Sequence, residues 1–179
     1  MVAGAVAAGP SFESIQTVSL SAGSASSVEF TSIPATYKHL QIRAIGQSTR
    51  NIGTMDFYIQ VNSDTGTNYS FHQVIGNGTA VSSAVGASQT KIQINNAITN
   101  STNTSIFSAV FIDVLDYANT NKYKTFRSLS GRDINSAGQA NLGSGLWQST
   151  SAITSLKFTP ETFDWSQYSH FALYGIKGA

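Results

Sequence analysis

The chain of 179 residues contains no cysteine, three prolines and few charged residues. Without cysteine, neither disulfide bonds nor thiolate metal sites can stabilise it, so packing, strand pairing or assembly must do so. Charged residues make up 11% of the sequence, against about 25% in an ordinary globular domain. The net charge of +1 gives no electrostatic footprint for nucleic acid or an anionic membrane. A surface of neutral polar groups suits close packing between proteins, because few ions must be desolvated.

The first residues are small and apolar, without the basic region of a signal peptide and too short to span a bilayer. They could form a disordered terminus or a flexible arm, residues 1–11, that becomes ordered on a neighbouring subunit. The candidate assembly residues of this arm are Val2, Ala3, Gly4, Ala5, Val6, Ala7, Ala8, Gly9 and Pro10. The remaining residues, 12–179, fit one domain.

Alternating apolar and polar residues dominate the rest of the chain and are typical of half-buried strands. We expect an all-β fold, an antiparallel two-sheet β-sandwich of jelly-roll type. The predicted strands are Ile15–Leu20, Ser27–Ile33, His39–Gln47, Asp56–Asn62, Ser70–Gly76, Lys91–Asn95, Ile106–Leu115, Lys124–Gly131, Ala140–Gln148, Ile153–Thr159 and Phe171–Ile176.

The same alternation predicts the core residues. They are Leu40, Ile42, Phe57, Ile59, Val61, Val110, Phe111, Ile112, Leu156, Phe158, Phe171 and Leu173. Ile106–Leu115 is apolar on both faces and is expected to be a central strand covered on each side. A short helix or turn is expected at Thr162–Gln167.

A weak internal echo links the two ends of the chain. Val28–Thr31 followed by Tyr37–Ile42 resembles Leu156–Thr159 followed by Tyr168–Leu173. Two such units would suit a sandwich whose terminal strands lie together, although chance similarity between β-hairpins is the more probable explanation.

No set of residues predicts catalysis. Asp64-Thr65-Gly66 matches the tripeptide of aspartic proteases, which needs a second carboxylate, but an Asp-x-Gly turn that closes a hairpin explains it fully. His39, His72 and His170 lack further ligands at a metal-binding spacing. The sequence has no nucleophile elbow, phosphate loop or dinucleotide fingerprint, so no enzyme activity and no cofactor are expected.

Exposed aromatic side chains are a minority alternative as a binding site. Trp147 and Trp165 lie at or near strand ends and could stack on sugar rings, although core or interface packing is the commoner role for tryptophan.

Four stretches carry a resemblance to a known group of proteins. They are Phe57–Ser70 (FYIQVNSDTGTNYS), Asp116–Thr125 (DYANTNKYKT), Gly145–Leu156 (GLWQSTSAITSL) and Phe171–Lys177 (FALYGIK). Together they resemble a group of tailed-bacteriophage virion proteins, common in cyanophages, in which similar turns and a terminal LYGIK recur. Asn62-Ser63 stands where that group leads us to expect Asn-Gly, which affects only the turn type.

The resemblance implies a non-enzymatic β-sandwich component of the virion. The leading hypothesis is a capsid decoration, or cement, protein on the head exterior that binds the major capsid protein and itself, most simply as a homotrimer. The alternative is a tail-fibre or tail-tip module that recognises host surface glycans. Neither hypothesis involves nucleic acid or a membrane.

Overall fold

The computed structural model describes residues 11–51, 53–99 and 104–178, and within these ranges the chain forms twelve strands and no helix. The candidate arm residues Val2–Pro10 lie outside the described residues. The strands are β1 (Phe12–Ser19), β2 (Val28–Phe30), β3 (His39–Ser48), β4 (Thr54–Val61), β5 (Tyr69–Gly76), β6 (Val81–Gln89), β7 (Ile92–Thr99), β8 (Ser108–Leu115), β9 (Lys124–Asp133), β10 (Gly138–Trp147), β11 (Leu156–Pro160) and β12 (His170–Ile176).

The strands form two antiparallel sheets that share a corner. The large sheet has the order β1-β12-β3-β8-β9-β10-β5-β6, and the small sheet has the order β2-β11-β4-β7. At the corner, Gln47 and Ser48 at the end of β3 pair in parallel with Ile98 and Thr99 of β7. The expected all-β, two-sheet antiparallel architecture is therefore confirmed. The jelly-roll order of connections stays a prediction.

The two echoing segments of the sequence pair with each other. β2 lies antiparallel to β11, with Phe30 opposite Leu156 and Val28 opposite Phe158. β3 lies antiparallel to β12, where the second pair of echoing segments meets only at Ile42, opposite Leu173. Both sheets therefore contain ladders between early and late parts of the chain, and the large sheet has a second one between β1 and β12.

The core lies between the sheets, and eleven of the twelve predicted core residues are buried. Phe111 is the exception, because its side chain is 45% exposed. β8 alternates buried and exposed residues along its whole length. The expectation that Ile106–Leu115 is covered on both faces is therefore wrong, since the small sheet covers only one face of the large sheet.

Two further differences concern local structure. β6 had not been predicted, because its sequence VSSAVGASQ is small, polar and mostly exposed. Of the helix or turn expected at Thr162–Gln167, no helix forms, and a turn occurs only at its end, where the Ser169 N–H donates to the Ser166 carbonyl at 3.2 Å. Before it, the backbone of Trp165 makes isolated bridges to Ala25 and Ser48. These bridges satisfy the backbone N–H and C=O groups of Trp165 in extended pairing with Ala25, which removes the need for helical hydrogen bonds.

Aromatic rings packed edge to face form the centre of the core. Trp165 contacts Phe57 and Phe171 with ring centroids 5.5 and 4.8 Å apart, and Phe158 contacts Phe30 at 5.8 Å. Such geometry adds to the free energy gained by burying the rings. The small sheet is therefore held to β12 mainly by aromatic packing.

Replacing Phe158 with alanine tests this packing. Phe158 is fully buried, so Phe158→Ala is expected to lower the free energy of unfolding by about 3–5 kcal/mol through the cavity it leaves. Phe163→Ala is the control, because Phe163 is 64% exposed and its loss is expected to cost less than about 1 kcal/mol. Urea unfolding followed by tryptophan fluorescence measures both, and equal losses would contradict the core described above.

Candidate functional site: a motif cluster and an uncovered sheet face

Asp64 closes the turn between β4 and β5 and makes no catalytic pair. Its backbone N–H donates to the Val61 carbonyl (2.8 Å), and its carboxylate accepts from the Gly66 N–H at 2.8 Å. Asn62 and Ser63 adopt left-handed φ angles of 50° and 55°, as in the tight turns of β-hairpins. Ser63 thus holds a conformation that glycine adopts without steric cost, at the position where the resemblance leads us to expect glycine.

The Asp64 carboxylate also binds a tryptophan from a distant strand. The Trp147 indole N–H donates to Asp64 Oδ2 at 2.7 Å, and the Asn68 amide donates to the same oxygen at 3.0 Å. Hydrogen bonds from Trp147, Asn68 and the Gly66 backbone hold the pKa of Asp64 below its ordinary value. These bonds make Asp64 a structural acceptor in a turn, as expected. The expectation that this turn closes a hairpin is wrong, because β4 and β5 lie in different sheets and do not pair with each other.

The loop at residues 148–155, between β10 and β11, takes most of its support from the other motif stretches. The Asn62 amide donates to the Ala152 carbonyl (2.8 Å), and its oxygen accepts from the N–H groups of Thr154 and Ser155 at 2.8 and 3.0 Å. The Ile153 N–H donates to the Tyr117 carbonyl at 3.0 Å. Residues far apart in sequence thus satisfy the loop's backbone groups.

A buried lysine completes this motif cluster. Lys124 is fully buried, and its ammonium donates to the carbonyls of Asn119 (2.7 Å), Lys122 (2.9 Å), Thr150 (3.1 Å) and Ser149 (3.5 Å). Burial, with a smaller effect of the Lys122 charge, lowers its pKa. Because every donor of the ammonium faces a carbonyl, Lys124 ties the loop at residues 116–123 to the loop at residues 148–155.

The terminal LYGIK stretch has a comparable structural role. A Cβ atom at Gly175 would lie 2.3 Å from the Tyr37 ring, so only glycine lets this ring pack against β12. The Tyr37 hydroxyl donates to Glu13 at 2.8 Å, and the Lys177 ammonium lies 2.6 Å from the same carboxylate. These contacts hold β1 against β12.

Neither tryptophan presents a ring to a sugar. Trp147 and Trp165 are 2% and 1% exposed, and Trp165 donates its indole N–H to the Phe158 carbonyl at 3.2 Å. Because both indole rings are buried, neither is available for the stacking on a glycan that the sequence left open.

The described residues contain no metal-binding cluster. No group of three or more His, Asp or Glu side chains among them could hold an ion. His39 instead accepts a hydrogen bond from the backbone N–H of Asp116 at 3.1 Å. Within residues 11–51, 53–99 and 104–178, no helix is long and apolar enough to span a membrane.

The outward-facing side of the large sheet is the one extensive apolar surface that we find among the described residues. We call this surface the outer face and define it by three rows of residues that pair across β3, β8, β9, β10, β5 and β6. The middle row is Arg43, Phe111, Leu129, Leu142, Val74 and Ser83, the first flanking row is Ile45, Ala109, Gly131, Ala140, Gly76 and Val81, and the second flanking row is Gln41, Asp113, Arg127, Ser144, His72 and Val85.

Large apolar side chains lie exposed along this outer face. Phe111, Leu129, Leu142 and Val74 are 45%, 56%, 52% and 51% exposed and adjoin one another in the middle row. At the β3 end of the row, the Arg43 guanidinium lies 5.0 Å from the centre of the Phe12 ring and 5.9 Å from that of Phe111. Contiguous apolar patches of this kind mark sites of interaction with a protein, a membrane or a ligand.

Comparisons with known proteins add no relative to this description: no family model, no curated protein and no solved structure matches the chain.

A double-mutant cycle tests the link between Asp64 and Trp147. Asp64→Asn leaves one oxygen for several donors, and Trp147→Phe removes the indole donor, so each change is expected to lower the free energy of unfolding by about 1–3 kcal/mol. Because the two groups contact each other, the double variant should lose about 0.5–3 kcal/mol less than the sum of the two. Additive losses in urea unfolding would contradict the link.

The acid stability of the protein tests the Asp116 ion pairs. Hydrogen bonds from Lys122 and Lys38 lower the pKa of Asp116 from 3.8 to about 2, and the Lys38 pair is 2.7 Å long. A depressed folded-state pKa contributes stability that is present above the unfolded pKa and lost as the pH falls towards the folded value. The stability gap between wild type and Asp116→Asn should therefore be full above about pH 4 and close towards pH 2.

The double variant Lys38→Gln, Lys122→Gln serves as the control. It keeps Asp116 but should lose the same pH-dependent part of the folding stability, because both ion-pair partners are gone. Thermal unfolding at a series of pH values measures this gap. A gap that stays constant with pH would show that the ion pairs do not set the pKa of Asp116.

Proposed function

We propose that the chain is a non-enzymatic structural protein of a tailed-bacteriophage virion, most simply a capsid decoration protein on the exterior of the head. The observation that carries this proposal is the uncovered outer face, where exposed apolar side chains of four neighbouring strands adjoin one another. A protein that works by contact needs such a surface, whereas an enzyme needs convergent reactive groups. The virion assignment itself rests on the four motif stretches.

The structural roles of the motif residues support a scaffold over a catalyst. The charged residues with the most partners in those stretches form hydrogen bonds or ion pairs inside the protein. They are Asp64, Asp116 and Lys124. Such residues define loops and leave no free acid, base or nucleophile at that position.

We further propose that Val2–Pro10 forms an assembly arm that adds to a sheet edge of a neighbour. β6 offers a suitable edge, because it pairs only with β5 in the large sheet, carries no charged residue and is mostly exposed. Natural edge strands are often protected by charge or proline, and an extended peptide can bind an unprotected edge through backbone hydrogen bonds. The major capsid protein and other copies of this chain, expected to form a trimer, are the proposed partners.

Adding purified protein to phage heads that lack it tests the proposal. The intact chain is expected to bind the head exterior and raise the temperature at which heads release DNA, whereas a variant without residues 1–10 should bind more weakly. Unfolding of the truncated protein in isolation should be nearly unchanged, which separates a docking defect from a folding defect.

Electron microscopy of gold-labelled antibodies on intact particles gives the complementary result. Label on the head supports decoration, whereas label found only on tails would overturn the capsid assignment and favour the receptor-binding alternative. Equal head binding by the intact and truncated proteins would overturn the role of the arm.

A further inference from the structure

The outer face has a nearly mirrored sequence pattern about the line between β9 and β10. In the middle row, Phe111 and Leu129 on one side of this line correspond to Val74 and Leu142 on the other. In the first flanking row, bulky residues occur at the two ends and small residues occupy the centre. That row reads Ile45, Ala109 and Gly131 on one side and Val81, Gly76 and Ala140 on the other.

We propose that two copies of the chain pair face to face through this surface, about a two-fold axis that runs along the strands between β9 and β10. This pairing does not depend on the virion assignment. Rotation about such an axis places β9 over β10 of the second copy, β8 over β5, and β3 over β6, while each row stays at its own level. Two sheets that pack with nearly aligned strands are a common arrangement in β proteins.

Rotation about this axis brings apolar side chains together in the middle row and in the first flanking row. Leu129 faces Leu142 of the second copy, and Phe111 faces Val74. At the ends of the first flanking row, Ile45 faces Val81, which is 77% exposed in the single chain.

Charged groups on the outer face meet hydrogen-bonding groups under the same rotation. Asp113 faces His72 of the second copy, and Arg127 faces Ser144. The two Arg127 side chains lie on either side of the axis, one strand spacing or about 4.8 Å apart along the sheet. Hydrogen bonds, and not ion pairs, therefore favour the register of the two surfaces.

The size of the outer face suits a weak but specific dimer. Six strands about 4.8 Å apart and three rows about 6.6 Å apart cover roughly 600 Å² on each copy. Specific interfaces begin at about 600 Å² per partner. The face therefore reaches the lower limit for a stable pair without help from other parts of the chain.

A mirrored surface favours a dimer over a trimer. In a two-fold pair both copies use one self-complementary surface, whereas a three-fold ring joins two different surfaces of each copy. The pattern of the outer face meets the first requirement. The expected trimer would need a different contact, such as the arm on β6.

Sedimentation equilibrium on the full chain, at concentrations up to about 100 μM to detect a weak pair, tests the association. Wild type is expected to form dimers, and Leu142→Asp is expected to raise the dimer dissociation constant at least about 100-fold, because each carboxylate would be buried against an apolar residue. Phe163→Asp, an exposed site outside the outer face, is the matched control and should dimerise like wild type. Circular dichroism checks that both variants keep the fold.

Cross-linking tests the position of the axis, since the absence of native cysteine makes each introduced thiol unique. Phe111→Cys and Val74→Cys proteins, mixed and treated with a bis-maleimide of about 10 Å reach, the spacing of packed sheets, should give a linked dimer. In a dimer of either protein alone, the two thiols lie on opposite sides of the axis. They are then three strand spacings, about 14 Å, apart along the sheet, in addition to the distance between the two sheets. Either protein alone should therefore give little linked dimer.

A monomeric or trimeric wild type would overturn the proposal, as would a dimer that Leu142→Asp leaves intact or a mixture that links no better than the separate proteins. Because Leu142 lies on the same outer face that supports the decoration proposal, head binding by the Leu142→Asp variant does not test that proposal separately. The decoration proposal is judged by antibody labelling of intact particles, which does not depend on dimer formation.

Discussion

The need to satisfy backbone hydrogen bonds in one long loop determines much of this structure. The loop at residues 148–155 connects the large sheet to the small sheet, and its carbonyl and N–H groups contact Asn62, Tyr117 and Lys124. Three polar segments that are distant in sequence therefore meet at one end of the sandwich. Asn62 comes from the connection between β4 and β5, which lie in different sheets, and Lys124 begins the second strand of the β8–β9 hairpin. Asn62, Tyr117 and Lys124, which belong to the motif stretches, are members of this network.

The low charge of the chain has different effects inside and outside the fold. Inside, the few ionic groups are tightly partnered, as the Lys124 ammonium shows with its four carbonyl acceptors. Outside, the middle row of the outer face has only Arg43 as an ionic residue, and that guanidinium lies among aromatic rings. The desolvation cost of covering the middle row is therefore small. A neutral surface and a self-complementary pattern together make contact between copies favourable without strong ion pairs.

Alternation along the chain was enough to predict the fold class and most of the core, because a period of two identifies the covered side of a strand such as Asp56–Asn62. It failed for Phe111, since a strand that is apolar on both sides cannot show which side the second sheet covers. It also missed β6, whose small residues pair with β5 without contributing a large core side chain. The burial of Trp147 and Trp165 depends on distant partners, Asp64 and Phe158, that local sequence does not indicate. The mirrored outer face could not be predicted either, because it appears only when six strands are placed in register.

The position of β12 has a consequence for synthesis of the chain. β12 lies between β1 and β3. Phe12 of β1 pairs with Ile176 of β12, so this ladder joins residues from almost opposite ends of the sequence. A ribosome therefore releases β1 and β3 long before the strand that separates them exists. During that interval one edge of β3 and the whole of β1 lack their partners, and unpaired edges in a nascent chain invite pairing with other chains. The chain can complete its large sheet only after nearly all of it has been translated, so high local concentrations of unfinished copies favour strand exchange between them.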